Sequence, residues 1–111
     1  MDISKLDVVK LSNEGFRCII KNPKNGKDTD IAVTIKGIYA DKFREESELA
    51  DTVEKTASFL ARFTVGWENM QENNKDIEFS QSNAERIFRE YPIIRIQVMT
   101  AAMDVRNFIM D

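Results

Sequence analysis

The feature that most constrains this chain is a change of hydrophobic period near Gly37. Before it, Ile31, Val33 and Ile35 alternate with smaller or polar residues, the period-two pattern of a strand with one buried face. After it, Phe43, Ala50, Val53, Ala57, Leu60, Thr64 and Trp67 recur at spacings of three, four and seven, and Leu49, Phe59 and Phe63 widen the stripe. That is the pattern of an amphipathic helix. Strand signals that come first, followed by helix signals, give an α+β fold.

On the strand side, Phe16-Arg17-Cys18-Ile19-Ile20 is short, aromatic and β-branched, and is bounded by Gly15 and Asn22-Pro23. The run Asn22 to Asp28 is turn chemistry, with Asn25-Gly26 suited to positive φ. Together these predict a β-hairpin over 16–36. Residues Met1 to Gly15 carry no decisive period, and Val8-Val9 with Leu11 fits either a short strand or a turn of helix.

On the helix side, the stripe predicts one long helix over about 40–67. Its first turns hold Glu45, Glu46 and Glu48, which suit the positive end of the helix dipole. The β-branched residues and glycine of Phe63-Thr64-Val65-Gly66 weaken it towards its end. Asn69 to Glu78 reads as a polar loop. Ser80 or Ser82 then caps a short helix over about 82–91, and Ser82 with Glu85 would form a capping box. Tyr91-Pro92 ends that helix, and proline opens a third over 92–110. The sole tryptophan, Trp67, falls where the long pattern stops. It is expected to anchor the terminal helix near Tyr91 or Val98, with Phe79, Tyr91 and Phe108 as further structural anchors.

A chain of 111 residues predicts a single domain, 1–111. With 16 basic and 19 acidic side chains, the balance argues against nucleic acid as a partner. The apolar run from Ile93 to Met110 is interrupted by Arg95, Gln97, Asp104, Arg106 and Asn107, so no membrane span is expected. A single cysteine and no signal-like start suit a reducing cytoplasm.

The chemistry-bearing residue types are sparse. Without histidine there is no Ser-His or Cys-His pair and no common zinc set. Cys18 alternates in a strand and reads as a small hydrophobe. Glu45, Glu48, Asp51 and Glu54 read as a solvated helix face with an Asp51–Lys55 pair rather than as a carboxylate or metal site. The loop Asn69 to Asp76 lacks the glycine and spacing of a calcium loop. Lys21, Lys24 and Lys27 lie on the hairpin loop with acids directly after them, which fits a solvated loop better than a phosphate contact. No catalytic, cofactor-binding or metal residue is assigned, and an enzyme is the least supported class.

The terminal helix is different. Ile94, Val98, Ala101, Val105 and Phe108 form one stripe, and Ile93, Ile96, Met99, Met103 and Met110 lie beside it. Such stripes are usually core, whereas methionine-rich surfaces suit adaptable protein binding. Ile96, Met99, Met103 and Met110 are the candidate partner-binding residues.

Taken in order, the β-branched hairpin, Gly66-Trp67, Phe79-Ser80, Tyr91-Pro92 with Arg95 and Gln97-Val98, and Asn107-Phe108 resemble the small tail-assembly chaperones of long-tailed bacteriophages and prophages. The resemblance spans about residues 16–108 and departs at Tyr39-Ala40-Asp41, where a more polar turn is expected. It implies a non-enzymatic protein of the bacterial host cytoplasm that binds the tape-measure protein during virion assembly. The tail-tube subunit is a second candidate partner, and homo-oligomerisation is compatible with it. The alternative classes are a structural virion subunit, such as a tail-completion or connector protein, and a small regulatory protein.

Overall fold

The computed structural model of the chain describes residues 1–110. The period-two segments form β1 (Phe16–Lys21) and β2 (Asp28–Ile35). They pair antiparallel from Phe16 opposite Ile35 to Ile19 opposite Ala32, with an irregularity before Lys21 meets Asp28. In the connecting loop Gly26 takes φ 71°, the left-handed conformation that glycine adopts at no steric cost. Asn25 acts through its side chain instead, accepting from the Lys27 N–H. The ambiguous start of the chain is a 3-10 turn, Ile3–Leu6, followed by the helix α1 (Val8–Glu14), capped by Asp7.

The continuous helix expected over 40–67 is instead three elements: α2 (Phe43–Glu48), α3 (Val53–Phe63) and a strand, β3 (Thr64–Glu68). The first break is local competition for backbone hydrogen bonds. The Thr52 hydroxyl accepts from the Lys55 N–H at 3.1 Å and caps a new helix, while Thr56 donates to the Ala50 carbonyl at 3.2 Å. The apolar spacing survives the break because both pieces bury the same cluster. Phe43 stacks edge-on against Phe59 and Phe63, with centroids 4.9 and 5.1 Å away. The second change follows from β-branched Thr64 and Val65 and aromatic Trp67, which favour a half-buried pleated surface. β3 pairs antiparallel with β2, Trp67 opposite Val33. The sheet order is therefore β1-β2-β3, with β1 and β3 at its edges.

The segment read as a loop contains a small hairpin of β4 (Gln71–Glu72) and β5 (Lys75–Asp76). Its two-residue turn is Asn73-Asn74, both at positive φ, as tight hairpins require. Trp67 finds its hydrogen bond and its aromatic partner in this region, whereas it is expected on the terminal helix near Tyr91 or Val98. Its indole N–H donates to the Ile77 carbonyl at 2.8 Å, and its ring meets Phe79 edge-on at 5.1 Å. The cause is the unforeseen strand, which aims the tryptophan from the sheet.

Next comes α4 (Gln81–Glu90), capped by Ser80 and not by Ser82. Glu85 bonds to Ser58 on α3 rather than closing a capping box. The last helix, α5 (Pro92–Met103), stops seven residues short of the expected end. Asp104 caps a 3-10 turn, Val105–Phe108, through the Arg106 N–H, and the Asn107 side chain donates to the Ala101 carbonyl at 3.0 Å. Phe108 is thereby folded back as a plug against Gly37. A Cβ on Gly37 would lie 2.5 Å from the Phe108 ring, so the close approach requires glycine.

Candidate protein-interaction site

The terminal helix is apolar nearly all round, and its buried side is Ile94, Val98, Ala101 and Ala102. This side packs on β1, β2, α3 and α4. The polar residues of the 91–107 segment secure the packing. Arg95 donates to the Phe88 and Arg89 carbonyls at 2.9 and 3.1 Å, satisfying the end of α4. Gln97 reaches β1, accepting from the Lys21 N–H and donating to the Lys21 carbonyl, both at 2.8 Å. Tyr91 donates to Glu72, which also binds Arg86.

That last cluster sets local charge. Glu72 is held below its ordinary carboxyl range, first by the hydrogen bond from Arg86 and then by that from Tyr91. The Tyr91 hydroxyl is pushed up, chiefly because it donates to the Glu72 carboxylate. Cys18 lies buried on β1, and burial pushes its thiol up too. This matches its reading as a small hydrophobe rather than a nucleophile.

The opposite side of α5 is only half covered by the described residues. Ile93 is 47% exposed, Ile96 58% and Met103 46%. Ile96 and Met103 are seven residues apart, two turns along one side. Of the four candidate partner-binding residues, these two share a face. Met99 is half-buried and packs against the core. Met110 is exposed but lies past the 3-10 turn, where its N–H donates to the Lys5 carbonyl at 3.1 Å.

Two residues join this surface that the sequence reading did not assign to it. Ile93 belongs to it by helical position, a signal already present in the spacing. Ile19, exposed on β1, lies across a groove from Ile96. The groove has a volume of about 420 Å³, with Phe16, Arg17 and Ile19 on one wall and Ile96, Thr100 and Ala101 on the other.

No family model, curated protein or solved structure matches the chain. The chemistry of the site therefore stands on its geometry. It is a largely apolar helix side, interrupted by exposed Thr100 between Ile96 and Met103, beside an apolar groove, with its flanking charges engaged in Arg17–Glu68, Lys21–Asp28 and Asp104–Arg106 pairs at 2.6–2.7 Å. Such a surface suits contact with another apolar surface. No helix among the described residues is long and apolar enough to cross a membrane.

Proposed function

We propose that this protein is a non-enzymatic tail-assembly chaperone of a long-tailed phage or prophage. It covers apolar helical surface of the tape-measure protein until tube subunits replace it. The observation that carries the reading is the half-exposed side of α5, where Ile93, Ile96 and Met103 stand exposed on a helix whose other side is fully engaged. The order of sequence features that resembles this family supplies the process. Every quoted polar member of the Tyr91–Asn107 part of that order has a structural task in the fold, which supports reading the segment as one unit.

The test is co-expression with a tape-measure protein, sought as a long coiled-coil-rich reading frame among the neighbouring genes. The parent chain is expected to co-purify with it and to keep it soluble. Met103→Glu is expected to remain folded and to lose the complex, because a charge buried unpaired at an interface is costly. A folded Met103→Glu that binds as well as the parent overturns the role of α5. Stoichiometric presence of the protein in purified mature particles overturns the chaperone reading in favour of a virion subunit.

A further inference from the structure

We propose that the two ends of the chain form one clasp, which opens as a unit while the sheet, α3 and α4 stay closed. The inference stands on packing and hydrogen bonding within the chain and not on the partner proposed above.

The clasp has two halves. Residues 1–14 hold the first 3-10 turn and α1, and residues 105–110 hold the last 3-10 turn. Within both halves only Ser12 and Phe108 are buried. Ile3, Leu6, Val9, Val105, Ile109 and Met110 are exposed. Segments that bury few apolar contacts open at a lower free energy than the core. Each half here rests on one buried side chain.

The halves hold each other. α1 packs more closely on the last 3-10 turn than on any helix or strand of the core. The Met110 N–H donates to the Lys5 carbonyl at 3.1 Å. The Phe108 ring lies against Gly37 and meets Phe16 edge-on, with centroids 6.1 Å apart. Gly37 in turn donates its N–H to the Ser12 carbonyl at 3.0 Å. Withdrawal of Phe108 therefore takes away both the main support of α1 and the ring beside the residue that bonds to it. The Asp41 N–H, which donates to the Asn13 side chain at 3.1 Å, is a small remaining tie.

The closed clasp also contains its own weak point. The Ser12 hydroxyl is fully buried and has no hydrogen-bond partner in the protein. An unpaired buried hydroxyl disfavours the closed form, because water satisfies it once the segment opens. Opening has a consequence for the groove beside α5. Asn107 and Phe16 both line it, and Asn107 is held there by its bond to the Ala101 carbonyl at 3.0 Å. When residues 105–110 lift away, Asn107 leaves the groove and Phe16 loses its aromatic cover. The clasp is thus a gate at one end of that groove.

The test is native-state hydrogen exchange on the full chain, in conditions where reclosing outpaces exchange. Consecutive amides give an internal comparison. The Lys36 N–H donates to the Phe63 carbonyl at 2.9 Å, that of Gly37 to Ser12, and that of Ile38 to the Ala102 carbonyl at 3.0 Å. Gly37 is expected to share one opening constant with Leu11, Gly15 and Met110, at least about tenfold larger than that of Lys36. Phe108→Ala should raise that shared constant about a hundredfold or more. Ser12→Ala, which removes the unpaired hydroxyl, should lower it about tenfold. Ile87→Val, in the buried core on α4, should raise the opening of Lys36 about threefold or more and leave the clasp amides as they were. If Phe108→Ala does not fold, Ser12→Ala and Ile87→Val carry the comparison. The proposal is overturned if Gly37 exchanges together with Lys36, or if Leu11 and Gly15 open at a constant different from that of Met110. It is also overturned if Ser12→Ala fails to slow the set, or if Ile87→Val speeds the clasp and the core alike.

Discussion

α3 and α5 are helices of 11 and 12 residues in the same helical layer, yet they meet solvent in opposite ways. α3 buries Ala57, Phe59, Leu60, Ala61 and Phe63 and exposes Glu54, Lys55 and Arg62, with Val53 at its first position as its one exposed large apolar residue. Arg62 is engaged further, with Ser58 at 2.8 Å and Glu46 at 3.5 Å. α5 buries Ile94, Val98, Ala101 and Ala102 and exposes Ile93, Ile96 and Met103. Folding explains the buried side of each helix. It explains the charged outer side of α3 too, since water accepts it without cost. The exposed half of the apolar outer side of α5 adds nothing to the isolated fold. The difference is the basis on which a partner-binding task is proposed for α5.

The contrast can be tested from its strongest side first. Phe59→Ala on α3 removes a fully buried ring from the Phe43–Phe63 cluster. It is expected to cost about 3–5 kcal/mol in denaturant unfolding, and a loss under 1 kcal/mol would show that this cluster is not the core. Gly37→Ala forces a methyl group into the Phe108 ring. About 1–3 kcal/mol of destabilisation is expected from overpacking, and Phe108→Leu in the same chain should recover part of it. Trp67→Ala removes a half-buried indole and its bond to Ile77, for an expected loss of about 2 kcal/mol.

Smaller is the pH response of the Glu72–Tyr91 pair. Glu72 is lowered when folded, so its contribution is present above the ordinary carboxyl range and is lost as pH falls through the folded value. Tyr91 is raised, so its contribution is complete below the ordinary phenol value and is lost as pH climbs through the folded one. Glu72→Gln removes the first cause of the Tyr91 shift. Tyr91 should then ionise at lower pH than in the parent when followed by ultraviolet titration, and an unchanged titration would refute the link. Smallest of all, Ile96→Ser on the exposed side of α5 should change stability by no more than about 0.5 kcal/mol while weakening partner capture. A large loss of stability would show that this side is covered within the fold and would erase the contrast with α3.

Much of the fold was legible because it is written in local patterns. The hairpin follows from alternation at Ile31, Val33 and Ile35 between Gly15 and Gly37, and the α4–α5 corner follows from Tyr91-Pro92. The Asp51–Lys55 pair is present at 3.1 Å, although at a helix start and not along a helix. The long helix was misread because its spacing is shared by two elements around one cluster. Phe43 and Phe59 meet on opposite sides of a break that Thr52 makes. β3 was missed because Thr64 and Trp67 continue a helical spacing by coincidence, and only pairing with β2 reveals the strand. The candidate site was half legible. Ile96 and Met103 were named together, but nothing in the spacing could divide them from Met99, which turns inward, or from Met110, which lies past the end of the helix.

The sequence by itself determined the α+β class, the hairpin, the α4–α5 corner and the excess of apolar residues in the last third, because each depends on neighbours within a few positions. Only the tertiary structure decided that the sheet has a third strand, that Trp67 seats on Phe79, that Gly37 receives Phe108, and that Gln97 bonds to the backbone of Lys21. Those outcomes join residues far apart in the chain, from Lys21 to Gln97 and from Gly37 to Phe108. Such contacts are set by the shape and hydrogen-bonding capacity left over once the local elements have formed, and no local period encodes them.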